Sequence, residues 1–219
     1  MSKRPVSVGR YAPAAVLPPY AYVPGHGQPH PVNDPEGHLY VPQTKGHEPA
    51  NAAAVHAEVR TTPALERGSL AATLAADPQW LYALDLFNGG FYWESHEAWE
   101  GFWIALGRNT QEAQCVQGLI RLAAACVKIR EGKPVGVRRH LKRARELLGD
   151  IEAAPVGSSE GKPTPSTGAL GLDVGSVAAV VRELEEYSPQ CWHTSKTPVV
   201  RVLAANLSIA AYRVAGVGD

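Results

Sequence analysis

Residues 91–106 read FYWESHEAWEGFWIAL, and this segment carries the clearest structural signal in the chain. Its apolar residues recur every three or four positions, the period of an α-helix, and Trp93 and Ile104 add apolar surface on the opposite side. The spacing predicts a helix that the rest of the protein nearly encloses. The chemically suggestive residues lie in the run His96-Glu97-Ala98-Trp99-Glu100. The apolar face consists of Phe91, Ser95, Ala98, Trp99, Phe102 and Leu106.

Helix-starting and helix-ending residues on both sides predict further helices. Ser69 and Thr110 are suited to cap helix starts, and Asp77-Pro78 combines a capping acid with a proline fit for a first turn. Asn88-Gly89-Gly90 and Gly107 end helices. The last stretch, 198–215, is predicted to be helical, with a short strand before a helix as the alternative. Together these signals predict an all-α fold, a compact helical bundle. The other predicted helices are Gln79–Phe87, Phe91–Leu106, about 111–130, about 134–148 and Val174–Tyr187.

Residues 1–68 differ in composition from the rest, because prolines, glycines and histidines are scattered densely through about the first 60. Proline lacks a backbone donor and biases its predecessor away from helix, so this segment is predicted to be an irregular arm. Its apolar residues, such as Tyr20 and Val23, predict that the arm packs on the helical body, with disorder as the alternative. The predicted domains are the arm, 1–68, and a helical domain, 69–219, with a flexible loop over about 154–173.

Charge and composition exclude several classes of partner. The 219 residues contain 21 Lys+Arg and 21 Asp+Glu, so no global field attracts nucleic acid or an anionic membrane surface. No stretch is typical of a signal peptide or a membrane span, and a cytoplasmic location is expected. Three cysteines without CxxC spacing argue against a cysteine zinc site. The basic run over 138–145 is interpreted as a solvated helix face, with phosphate recognition as the alternative.

The run at residues 96–100 has the geometry of a metal site. His96 and Glu100 are one helical turn apart, so an imidazole nitrogen and a carboxylate can converge on one divalent cation. Glu97 lies beside them as a candidate general base. The pattern is not that of HExxH proteases, because Glu100 replaces the second histidine and no downstream ligand signature follows. A ferritin-like ExxH site is excluded because Trp93 stands three residues before His96.

The wider segments Leu84–Trp103 and Val116–Ala125 resemble the bacterial family catalogued as domain of unknown function 309. The resemblance covers about residues 79–148. It implies an all-helical fold and a metal-dependent hydrolase, a description that follows the HExxE pattern. Arg121 departs from the family pattern, in which a glutamine-like residue is expected, and it would change the charge of a pocket there.

The arm supplies two further candidate ligands, His30 and His38, on stiff proline- and glycine-rich backbone. A folded-back arm could complete a histidine and carboxylate sphere around the cation held by His96 and Glu100. The alternative is that the arm histidines bond backbone groups to pin the arm. In that case His96 and Glu100 form a buried polar pair with partners such as Gln117 or Arg121.

A pocket is predicted beside the motif. It comprises Gln117 and Arg121 on the polar stripe of the 111–130 helix, and Trp99 and Trp103, for which core packing is the alternative. The leading hypothesis is a metal-dependent hydrolase acting on an unknown small molecule, with Glu97 taking a proton from water. The alternative is a non-catalytic helical module whose polar pocket binds a ligand or a protein. Exposed parts of such apolar helices could also support a homodimer.

Overall fold

The computed structural model describes residues 9–42, 67–149, 170–188 and 194–210. Within these ranges the only strand-like pairing is a single antiparallel bridge between Leu172 and Ile209. The all-α prediction is confirmed. The six helices of the described residues are α1 Arg67–Ala76, α2 Pro78–Gly89, α3 Tyr92–Ala105, α4 Gln111–Arg130, α5 Pro134–Leu148 and α6 Val174–Glu185.

Several helix ends follow the predicted capping residues, but the predicted cap at Ser69 is wrong, because α1 begins at Arg67 and contains this position. The Asp77 carboxylate accepts the N–H groups of Gln79 and Trp80 at 2.8 and 3.0 Å, which opens α2. Gly90 closes α2 in the left-handed region, with φ of 92°. A Cβ at Gly90 would lie 2.9 Å from the carbonyl oxygen of Val200, so this turn accepts only glycine.

The core is built around α4, which packs between α3 and α5, while α2 covers the other side of α3. α4 is buried along most of its length because its apolar residues surround the helix except for one polar stripe. Gly118 brings α4 close to α5, since a Cβ there would lie 2.5 Å from Cγ of Leu148. The largest apolar side chains that this core buries include Trp80, Phe87, Tyr92, Trp99 and Phe102.

The described part of the arm, residues 9–42, packs on α2 and α3 as predicted. Two buried carboxylates hold it by its backbone. Asp85 on α2 accepts the N–H groups of Tyr11 and Ala12, both at 2.8 Å. Glu94 on α3 accepts the N–H of Tyr22 at 2.8 Å. Residues 1–8 and 43–66 of the predicted arm lie outside the described residues, as do residues 150–169, which include most of the predicted loop.

The predicted helix over 198–215 is wrong for residues 198–210, which are not helical; 211–215 lie outside the described residues. Side chains of other helices satisfy the backbone here. Asn88 bonds both the N–H and the carbonyl of Leu207 at 2.9 Å, and the Tyr92 hydroxyl accepts the N–H of Val202 at 2.9 Å. These partners replace the bonds that a helix would make.

No helix in the described ranges is long and apolar enough to cross a bilayer.

Candidate metal centre

The polar cluster on α3 consists of His96, Glu97 and Glu100. One potential ligand atom from each side chain lies within 4.8 Å of the other two. His96 Nδ1 is 3.2 Å from Glu97 Oε1. The geometry follows from the helix, because His96 and Glu100 are one turn apart and Glu97 is the next residue around it.

The rest of α3 fixes the direction in which this cluster points. Trp99 and Phe102, which project from other faces of the helix, are buried in the core. The side chains of His96 and Glu97 are 30% and 23% exposed. The cluster therefore lies at the border between the helical body and solvent, where a small molecule can reach it.

The donor set fits a divalent cation. Imidazole and carboxylate ligands bind zinc at about 2.0–2.2 Å, so two atoms on one ion are separated by at most about 4.4 Å. The spread of 4.8 Å in the cluster therefore closes with small side-chain rotations. A mixed nitrogen and oxygen set suits zinc, manganese or iron.

A second group of ionisable side chains faces the cluster from α4 and α5. Burial is the main cause that lowers the pKa of His140 to about 4, and the charges of Arg121, Arg139, Lys128 and His96 contribute to the same decrease. His96 thus lies within electrostatic range of His140, across α4. No role was predicted for His140 from the sequence. Short turns between the antiparallel helices α3, α4 and α5 nevertheless place His96, Arg121 and His140 at a similar height along the helix axes.

The positively charged side chains of this group differ in whether a carboxylate pairs with them. Lys128 Nζ lies 2.7 Å from Glu131 Oε2, which also lies 3.1 Å from Lys133 Nζ. Arg121 has a buried Nε that makes no hydrogen bond to any described residue. The predicted pocket residue Arg121 is therefore positively charged and unpaired within the described ranges.

His30 and His38, the predicted arm ligands, lie outside the α3 cluster. The His30 ring packs edge-on against Trp93, with centroids 5.5 Å apart, and its Nδ1 accepts the N–H of Val32 at 3.3 Å. His38 Nε2 lies 3.6 Å from Glu94 Oε1. Both histidines thus sit where the arm meets α3, an arrangement that resembles the alternative in which they pin the arm.

Glu94 and Asp85 are important residues that the sequence reasoning did not single out. Glu94 is 4% exposed, and burial raises its pKa to about 7 despite the hydrogen bond from Tyr22. Burial also lowers the pKa of His38, so the contact between Glu94 and His38 joins two groups whose charged forms are both disfavoured. Asp85 differs because two N–H groups and Arg10, whose Nε is 3.4 Å from its Oδ2, compensate it.

The other predicted pocket residues are dispersed. Trp99 is fully buried, with its ring 5.6 Å from that of Phe87, so it is a core residue. Trp103 lies further along α3, where the guanidinium of Arg108 stacks 5.1 Å from its ring centroid. Gln117 is half-buried on α4, one turn before Arg121.

The fold and the cluster define an all-helical protein with a candidate His/Glu/Glu cation site on α3. Residues 80–140 match the model of a family described as Domain of unknown function (DUF309). The match supports that family for the segment that contains the α3 cluster, Arg121 and His140. No curated protein and no solved structure matches the chain.

Proposed function

We propose that this protein is a metal-dependent hydrolase of a small molecule, with His96, Glu97 and Glu100 holding a divalent cation. The observation that carries the proposal is the convergence of three donor atoms within 4.8 Å on one accessible helix face. Three protein ligands are typical of catalytic zinc sites, which keep a further position for water or substrate.

The three side chains contribute in different ways. His96 Nδ1 and Glu97 Oε1 lie 3.2 Å apart, a separation at which both atoms can bind one cation. Glu97 has two carboxylate oxygens, so it can take part in the site and also accept a proton from a water molecule. A bound cation supplies Lewis-acid chemistry, which makes water more acidic and polarises a substrate oxygen.

A non-catalytic module is the second candidate function. It requires His96 and Glu100 to be satisfied by protein partners in a closed polar pair. His96 instead contacts only its neighbour Glu97 among the described polar side chains, and the pair is partly exposed. The metal-dependent hydrolase is therefore the better supported of the two.

The first experiment measures metal binding by the purified full chain. After treatment with a chelator, the protein is titrated with Zn²⁺ and Mn²⁺ in a calorimeter. We expect one site per chain, and we expect His96→Ala to weaken binding at least about tenfold, since loss of even an outer partner of a metal ligand costs about 10- to 100-fold.

His30→Ala and His38→Ala are the matched controls, because each removes an imidazole from the arm next to α3. Both should bind the metal as the wild type does. If either arm variant lost as much metal affinity as His96→Ala, the replaced histidine would be a metal ligand. If the wild type bound neither metal, the proposed metal site would be contradicted. Hydrolysis is then tested with 4-nitrophenyl esters on the metal-loaded protein and its Glu97→Gln variant, which should be inactive.

A further inference from the structure

The polar surface next to the α3 cluster has a positive charge that the described residues do not neutralise. Arg121 on α4 and Arg139 on α5 both act on His140, and neither makes an ion pair with a described residue. Lys128 belongs to the same surface but is compensated by Glu131. Two arginines therefore remain to be matched by a negative partner.

The register of the helices places these arginines beside the cation site. α3 and α4 are antiparallel across the turn at 106–110, and His96 and Arg121 stand at similar distances in sequence from that turn. α5 then runs back along α4, which brings His140 into the field of both His96 and Arg121. His96 and Arg121 therefore lie at a similar level of adjacent helices, and both act on His140.

The charges on this surface select a multiply charged anion. A divalent cation would balance the two carboxylates of Glu97 and Glu100, so the arginines would still be in excess. The Arg121 guanidinium also has a buried Nε without a hydrogen bond to a described residue. Guanidinium groups bind phosphate through two parallel hydrogen bonds, and arginine with a metal ion is a common clamp on phosphoryl groups.

We propose that the substrate of this site is a small molecule with a phosphate group, which Arg121 binds beside the cation held on α3. The inference rests on the proposed function, since it names the substrate class of the same site. Arg139, at the exposed edge, adds attraction at longer range.

The test is a calorimetric titration of the Mn²⁺-loaded full chain with inorganic phosphate. Arg121→Gln should weaken phosphate binding about tenfold or more, because it removes a charge-assisted pair of hydrogen bonds. Arg121→Lys keeps the positive charge but lacks the planar guanidinium group, so its phosphate affinity should lie between those of the wild type and Arg121→Gln. Arg138→Gln is the matched control, since Arg138 lines the separate groove between α5 and α6 and should change the affinity less than about twofold.

Phosphorus NMR adds a readout of position. Mn²⁺ on the α3 cluster should broaden the phosphate resonance, and His96→Ala should abolish the broadening. Unchanged phosphate affinity in Arg121→Gln, or equal losses in Arg121→Gln and Arg138→Gln, would overturn the inference. Acetate binding as tightly as phosphate with the same dependence on Arg121 would overturn the phosphate assignment in favour of a carboxylate.

The two proposals fail in different ways. Metal binding is measured without phosphate, so its absence in the wild type contradicts the proposed function and, with it, the inference that rests on it. A normal metal titration combined with no phosphate binding contradicts the inference and leaves the metal site intact. Circular dichroism of each variant confirms that the helices persist.

Discussion

At the scale of single residues, the buried carboxylates attach the arm to the helical body. Asp85 is 5% exposed and accepts two backbone N–H groups from the arm. Its burial without compensation would be costly, so the arm and the carboxylate stabilise each other. The arm's attachment therefore depends on one side chain of α2 more than on its own sequence.

Asp85→Ala should destabilise the protein by about 3 kcal/mol, because hydrogen bonds to a charged group contribute about 1.5–3 kcal/mol each. The matched control is Asp77→Ala, since Asp77 also accepts two backbone N–H groups but at an exposed helix start, where the loss is about 1 kcal/mol. Urea denaturation measures both, and proteolysis of the arm should accelerate only in Asp85→Ala. Equal losses in the two variants would show that Asp85 does not anchor the arm.

Sequence reasoning reached some of these residues and not others. His96, Glu97 and Glu100 could be predicted to converge because helix geometry alone determines their spacing. Asp85 and Glu94 could not be distinguished from solvated acids, because their partners are backbone groups more than 70 positions away in the chain. The partners of His38 were equally inaccessible, since an irregular arm has no periodicity from which its path can be calculated.

At the scale of elements, the capping residues Asp77, Gly90 and Thr110 predicted where helices begin and end, because a cap acts within one turn. The segment after residue 198 was predicted incorrectly for the opposite reason. Its conformation depends on Asn88, Tyr92 and Glu183, side chains that lie on other helices. The sequence of a segment does not show which distant side chains will satisfy its backbone.

The close approach of α4 and α5 gives a prediction at this scale. Gly118→Ala should destabilise the protein by about 1–3 kcal/mol, because the new Cβ meets Cγ of the buried Leu148 at 2.5 Å. Gly136→Ala, on the same helix pair, meets only the flexible side chain of Lys128 at 2.8 Å. Lys128 must shift, but it is partly exposed and helix propensity offsets part of the cost, so the loss should stay below about 1 kcal/mol.

Thermal unfolding of both glycine variants checks this prediction. A Gly118→Ala protein as stable as Gly136→Ala would mean that Leu148 moves aside without cost. Because Leu148 is 1% exposed and surrounded by core residues, it has little space in which to do so.

At the scale of the whole molecule, Glu94 links the pH of the solution to the junction between arm and body. Its pKa is about 7 in the folded protein and 4.5 when unperturbed. Between these values the folded chain holds a proton that the unfolded chain has released, so stability falls as the pH rises from 4.5 to 7. The lowered pKa values of buried His38 and His140 have the opposite effect, because they make stability increase with pH.

Comparing the wild type with Glu94→Gln isolates the carboxyl together with its contact to His38, because His140 contributes to both proteins and cancels in the difference. The amide does not titrate but keeps an oxygen for the N–H of Tyr22. In chelator-treated protein, the stability of Glu94→Gln relative to wild type should rise by roughly 3 kcal/mol between pH 5 and pH 8. Glu146→Gln, at an exposed glutamate that pairs with Arg143, should give a difference that barely changes with pH.

Urea denaturation across this pH range measures the difference. A flat difference for Glu94→Gln would mean that the junction admits water and leaves Glu94 ionised at neutral pH. A rising difference would mean that the arm shields α3 from solvent directly beside the cation cluster. The arm would then determine the environment of the site even though its histidines lie outside the cluster.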